Sequence, residues 1–177
     1  ESLGGGLGTY EHIHPNDHVN KGQSTNDVIP SAGKIAIIRY INELKIEVKN
    51  LITSFDKKAK EFDSYVKMGR TQLQDAVPIK LGQEFIAYSK VISRDYERLD
   101  AAIKQLSYLN LGGTAIGTGL NADGRYINEV VPTLKEICDL DLSQADDLVD
   151  ATQNLDCFLF ASSVLKTLAS NLSKIAN

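Results

Sequence analysis

A bundle of long helices, an all-α fold, is what this sequence predicts, and three observations carry it. Apolar residues recur in alternating steps of three and four over three separate stretches. That spacing is helical and not strand-like. Each stretch is close to 30 residues, or about 35–50 Å of helix at 1.5 Å per residue, which is the length of bundle helices.

The elements follow in chain order. After four glycines bunched between Gly4 and Gly8 comes the polar run His14-Pro-Asn-Asp-His-Val-Asn-Lys-Gly-Gln-Ser-Thr-Asn-Asp-Val-Ile-Pro30. Its Ser24, Thr25 and Asn26 immediately precede the first long helix. That helix carries Ile41, Leu44, Val48, Leu51 and Phe55 in one row, extended back to Ile29 and forward to Phe62. Lys67 to Pro78 has no helical period and reads as a polar connection, with Pro78 placed to start the next helix. The second row runs Leu81, Phe85, Tyr88, Ile92, Tyr96, Leu99, Ile103, Leu106. A glycine-rich loop, Asn110 to Asn121, follows. Ile127 to Ile137 is a shorter amphipathic piece that Pro132 is expected to kink or split. The third row runs Leu155, Phe158, Ser162, Leu165, Ala169, Leu172, Ala176, with Phe160 and Val164 off it. Apolar residues on several faces predict a helix enclosed by other subunits. The reading is one helical domain over residues 1–177. Its abrupt opening and its apolar row still running at the end are expected of a fragment.

Composition narrows the function. Lys+Arg 19 against Asp+Glu 23 leaves a net charge of -4, without the basic excess of a nucleic-acid binder. No apolar run nears the roughly 18 residues of a membrane span, so no membrane partner is expected. Two cysteines, Cys138 and Cys157, make neither a disulfide framework nor a zinc quartet. A reducing, cytoplasmic setting is the expectation.

Two polar segments are the candidates for chemistry. Ser24, Thr25 and Asn26 at a helix start suit capping, and the same hydroxyls and amide beside a helix N-terminus suit a carboxylate. Gly69-Arg-Thr-Gln-Leu-Gln-Asp75 is either a polar turn with Arg70 paired to Asp75 or, with the first segment, a grip on a small dicarboxylate. His12, His14, His18 and Asp17 are too loosely spaced to predict a metal site. No Gly-x-Ser-x-Gly elbow is present. The loop from Gly112 to Gly119 follows a helix and lacks a closing Gly-Lys-Ser/Thr, so it is no phosphate loop.

Several runs in order resemble the aspartase/fumarase superfamily, and within it the aspartate ammonia-lyases. They are His14-Pro-Asn-Asp-His-Val-Asn with Gln23-Ser-Thr-Asn-Asp27, Lys67-Met-Gly-Arg-Thr-Gln-Leu-Gln-Asp-Ala-Val-Pro78 with Leu81-Gly-Gln-Glu-Phe85, Gly113 to Asn121, and Asp150-Ala-Thr-Gln153. The resemblance covers essentially the whole chain. It implies the central helical-bundle domain of a homotetramer whose active sites are shared between subunits, acting on L-aspartate and fumarate without a cofactor. It implies that Thr71, Gln72 and Ser24 hold the substrate's side-chain carboxylate, and that Thr25 and Asn26 contact its amino and carboxylate end. It also implies a second, peripheral dicarboxylate site at His14, Asn16 and Asp17. Gln72 stands where fumarases show histidine and Thr25 where they show serine, which favours the aspartase over the fumarate hydratase. The family's Gly-Ser-Ser-x-Met-Pro-x-Lys-x-Asn loop, which carries the serine base, is not among these residues. No catalytic residue is therefore expected in this chain, nor activity from it alone. An inactive helical assembly module is the remaining reading.

Overall fold

The computed structural model describes residues 2–177. In chain order the elements are a π-helical turn (Pro15–Val19), α1 (Thr25–Glu61), β1 (Val66–Thr71), β2 (Gln74–Lys80), α2 (Leu81–Leu106), β3 (Tyr108–Leu109), α3 (Gly124–Cys138), β4 (Ser143–Gln144), α4 (Leu148–Gln153) and α5 (Asp156–Ala176). They fall into two compact units. One is Ile37–Gln105 with Cys157–Asn177, the other Glu1–Ala36 with Leu106–Asp156.

The first of these is a helical bundle. α1 and α2 run antiparallel: Lys45 pairs with Asp100 at one end and Ser89 Oγ donates to Asp56 at 2.6 Å nearer the other. Between them Phe55, Phe62, Phe85 and Tyr88 form a cluster of tilted and edge-on rings 5.1–6.2 Å apart, the separation such rings favour. α5 joins α2, also antiparallel, through Asn171, which donates to Asp95 at 2.7 Å, and Lys174 over the Tyr88 ring. The core is apolar and tightly enclosed, with Ile92, Leu99 and Ala102 at 0% exposure. Asp95 is equally buried, its charge met by Arg98 at 2.6 Å and by Asn171. A buried carboxylate without such partners would be costly.

Residues 66–80 depart from the expected loop. They form an antiparallel hairpin in which Thr71 faces Gln74 across a two-residue turn, with a bulge between Met68 and Arg70. Pro78 lies within β2, opposite Met68, and α2 begins three residues later at Leu81. A proline on this two-stranded ribbon costs little, because each strand is an edge. In α5 the buried face is Cys157, Ala161, Val164 and Leu168, so Val164 belongs to the buried row. Leu155 and Leu165 of the expected row lie outside, 59% and 38% exposed.

In the other unit β3 and β4 pair in parallel, and Gln144 Nε2 donates to the carbonyls of Leu111 and Ile127. Leu106, Leu109, Leu111, Val131 and Leu142 form its apolar centre. α3 passes through Pro132 as one uninterrupted helix, capped by Asp123 and closed by Asp139 in a left-handed conformation. A proline there removes one backbone bond without breaking a helix held by packing at Val131. Among the described residues no helix is long and apolar enough to cross a membrane.

Candidate functional site

The site is built where α1 begins. The first turn of a helix has backbone N–H groups with no partner inside it and a partial positive charge. Ser24 meets part of that need, its Oγ accepting from the Asn26 N–H at 3.2 Å. Asp27 returns the favour, its Oδ1 accepting from the Ser24 N–H at 2.9 Å, which makes a reciprocal cap of Ser-x-x-Asp form. A cavity of about 500 Å³ opens beside this turn, lined by Asn20, Gln23, Ser24, Thr25, Val28 and Ile29. Thr25 is exposed, and so is Asn26, whose amide donates to the Ala115 carbonyl at 2.7 Å.

One face of α1 explains how the turn is held. Asp27, Ser31 and Lys34, at helical positions i, i+4 and i+7, are 0%, 2% and 4% exposed. Each meets the segment after α2. Asp27 Oδ2 accepts from the N–H groups of Gly112 and Thr114 at 3.2 and 3.0 Å. Ser31 Oγ donates to Asn110 Oδ1 at 3.3 Å, and Lys34 Nζ to the Tyr108 carbonyl at 2.7 Å. The segment thus runs back along the helix toward its start.

Pro30 adds a constraint. It lacks the N–H that would bond the Asn26 carbonyl four residues back. That carbonyl accepts instead from Asn110 Nδ2 at 3.0 Å, and the same amide donates to Thr152 Oγ1 of α4 at 3.1 Å. Asn110 is 0% exposed, and its oxygen and both amide hydrogens are used. The glycine loop then turns sharply at Gly117, φ +92°, where a Cβ would come within 2.4 Å of the Leu148 carbonyl. Close backbone approach requires glycine there.

Tyr126 borders this network. Burial pushes its phenol above the usual value; a hydrogen bond from Gln23 works the other way, and the Asp27 charge raises it further. The hydroxyl oxygen is buried, and no partner meets full hydrogen-bond geometry. Gln23 is therefore close but poorly aligned.

Thr71 and Gln72 lie in the other unit, on the hairpin. Thr71 closes β1, while Gln72 and Leu73 occupy the turn with φ of 48° and 64°. Two positive φ values in a two-residue turn match the hairpin's twist, yet they favour Asn and Gly over Gln and Leu. Arg70 Nε lies 3.1 Å from Asp75, both side chains exposed, so the polar-turn pairing exists. Ser24, Thr25 and Asn26 are thus brought together at one helix start, and Thr71 and Gln72 at one turn.

His14, Asn16 and Asp17 are gathered on a π-type turn, Pro15–Val19. His14 Nδ1 accepts from the Asp17 N–H at 3.2 Å, and His18 Nδ1 from the His14 N–H at 2.8 Å. His14 Nδ1 also lies 3.2 Å from Asp17 Oδ2. Asn16 accepts from Asn20 at 3.4 Å, and Tyr10 meets the His14 ring edge-on. Among the described residues no group of three or more His, Cys, Asp or Glu is placed to hold a metal ion.

Asp27, Asn110 and Thr152 organise the site and carry no role in the sequence reading. The available signal was the polar set at 27, 31 and 34 ahead of the apolar row, together with a helical proline four residues after Asn26.

Comparison with known proteins bears on the family and the fold. The profile of a family described as Lyase matches residues 1–177. The chain is 51% identical over 177 residues to an aspartate ammonia-lyase of Bacillus subtilis (strain 168), covering 100% of this chain and 37% of that protein. It is 46% identical over 178 residues to a class II fumarate hydratase of Neisseria meningitidis serogroup A, covering 100% of this chain and 38% of that protein. Among solved structures, the fumarate lyase:delta crystallin from Brucella melitensis bound to cobalt superposes with a TM-score of 0.96 at 43% identity. That match covers 99% of this chain and 38% of the other. The chain thus spans well under half the length of these relatives.

Proposed function

Because the chain belongs to the lyase family of the aspartase/fumarase superfamily, we propose that it is the central helical domain of an aspartate ammonia-lyase, which converts L-aspartate reversibly to fumarate and ammonia. The observation that carries the reading is the start of α1, where Ser24 and Thr25, with the amide-bearing Asn20 and Gln23, line a cavity of about 500 Å³ and Asn26 lies on the same turn outside that lining. Such donors, set at the positive end of a helix, bind a carboxylate.

The chemistry sets what these donors do. Loss of the proton from the carbon beside the side-chain carboxylate leaves its electron pair spread over the carboxylate oxygens as an aci-carboxylate. That pair then forms the C=C bond as the neighbouring C–N bond breaks and ammonia leaves. Charge developing on oxygen is the costly event, and fixed donors aimed at it supply the main stabilisation. Ser24, Thr71 and Gln72 take that carboxylate, and Thr25 and Asn26 the amino and carboxylate end. These residues contain no Gly-Ser-Ser-x-Met-Pro run to supply the serine base. Turnover is therefore expected of the full-length protein, as a tetramer with shared sites, and not of these 177 residues alone. His14, Asn16 and Asp17 form a second, peripheral dicarboxylate site.

Full-length protein given L-aspartate should generate fumarate absorbance and an equal amount of ammonia, and no turnover would sink the proposal. The similarity to a class II fumarate hydratase makes fumarate hydration the second reading. It is selected if malate forms from fumarate with the higher kcat/KM. Thr71→Val should lower kcat/KM for L-aspartate by about 100-fold, the scale of losing one transition-state donor. Wild-type kinetics would remove Thr71 from the site.

A further inference from the structure

Asp27 is a fully buried carboxylate that does not itself line the cavity and, among the described residues, has no cation at ion-pair distance. It accepts three backbone N–H groups: Ser24 on one oxygen, Gly112 and Thr114 on the other. Thr114 is a non-glycine residue at φ +59°, a conformation that costs energy and persists only where surroundings enforce it. One residue further, the Ala115 carbonyl receives the Asn26 amide. A single side chain therefore ties the cap that sets Ser24 to the loop whose carbonyl orients Asn26.

We propose that Asp27 is the positioning residue of the substrate site, holding Ser24 and Asn26 in binding geometry through the Gly112–Ala115 backbone. The proposal rests on the reading of Ser24 to Asn26 as substrate contacts. Replacing one oxygen by an amide NH₂ in Asp27→Asn sets that amide against either the Ser24 N–H or the two loop N–H groups. One of the two ties is lost while the volume is kept.

The test uses the full-length enzyme and a matched control. Asp95→Asn alters another 0%-exposed aspartate, one bonded to Arg98 and Asn171 in the other unit. Asp27→Asn should raise KM for L-aspartate by about ten-fold or more with a smaller fall in kcat, as expected when binding groups are misplaced. Asp95→Asn should lower Tm and leave KM as in wild type. Kinetics of Asp27→Asn within about two-fold of wild type, or an equal rise of KM in Asp95→Asn, overturns the proposal. If Asp27→Asn does not fold, hydrogen exchange on the wild-type enzyme decides. Saturating succinate should slow exchange in peptides covering 24–27 and 110–116 together, and protection of the first without the second overturns the coupling. A wild-type enzyme that neither turns over L-aspartate nor shows any protection by succinate fails at the substrate reading itself, and the proposal falls with it.

Discussion

Asn110 shows how much one buried amide can carry. Because Pro30 has no N–H, the Asn26 carbonyl depends on Asn110 Nδ2, and Thr152 shares that amide. Asn110→Leu leaves this carbonyl and the Ser31 hydroxyl without their partner in the interior. Leaving buried polar groups unpaired costs about 1–3 kcal/mol each, so a loss of about 3 kcal/mol is expected in urea unfolding. A variant as stable as wild type would show that the carbonyl finds another donor. Tyr126 is the opposite case, a buried hydroxyl without an aligned partner. Tyr126→Phe should therefore raise stability by about 1 kcal/mol at neutral pH. Its phenol titrates above the ordinary 10.0 because burial disfavours the phenolate, Gln23 offsetting part and Asp27 adding to it. Above pH 10.0 the unfolded chain loses this proton while the folded chain keeps it. The contribution is whole below that value and is lost as pH rises through the folded pKa. The variant should lack this part of the alkaline decline, read from urea midpoints at about pH 9 and about pH 11. An unchanged decline would assign it to other groups.

Among the elements, the hairpin carries visible backbone strain. Leu73 holds φ 64° at 97% exposure, so nothing in the described chain repays the cost of a bulky residue in the left-handed region. Leu73→Gly should stabilise the 177-residue chain by about 1 kcal/mol, net of the extra entropy glycine brings to the unfolded state. A lower urea midpoint would mean that the Leu73 side chain packs in solution. The hairpin was not legible in the sequence because its strands are exposed almost throughout, which removes the alternation of apolar and polar residues that marks a half-buried strand. The α1 and α2 rows were legible because Ile41, Val48, Ile92, Leu99 and Leu106 repeat the burial period in apolar side chains. The same seam on α1 continues through Asp27, Ser31 and Lys34. A count of apolar residues misses these three, although they fix the site. In α5 the buried face is Cys157, Ala161, Val164 and Leu168 while Leu159, Phe160 and Leu165 lie outside, so apolar residues on several faces left the buried row ambiguous. Ser24 to Asn26 were readable from capping chemistry alone. The Asp27 and Asn110 links join residues some 80 positions apart and leave no local pattern.

At the scale of the molecule, the outward leucines of α5 need an occupant. Leu159 is 70% exposed and Phe160 42%, on a helix whose buried face of Cys157, Ala161, Val164 and Leu168 already fills the core, and Leu155 just ahead of it is 59% exposed. Helices apolar on more than one face are ordinarily enclosed, and large exposed apolar side chains on one element mark an interaction surface. Another copy of α5 presents the same side chains, so self-association covers them symmetrically. That contact alone makes a dimer, and the tetramer proposed for the enzyme adds a second; the 177-residue chain should then sediment and scatter light with a mass about four times 19.4 kDa. Leu159→Glu, which places a charge where an apolar contact is expected, should shift that mass toward 19.4 kDa and leave the helical circular-dichroism signal intact. A wild-type chain that remains at 19.4 kDa at tens of micromolar would deny the self-association. A tetramer indifferent to Leu159→Glu would place the interface on surfaces other than this face of α5, because a symmetric apolar interface does not tolerate a buried carboxylate facing its own symmetry mate.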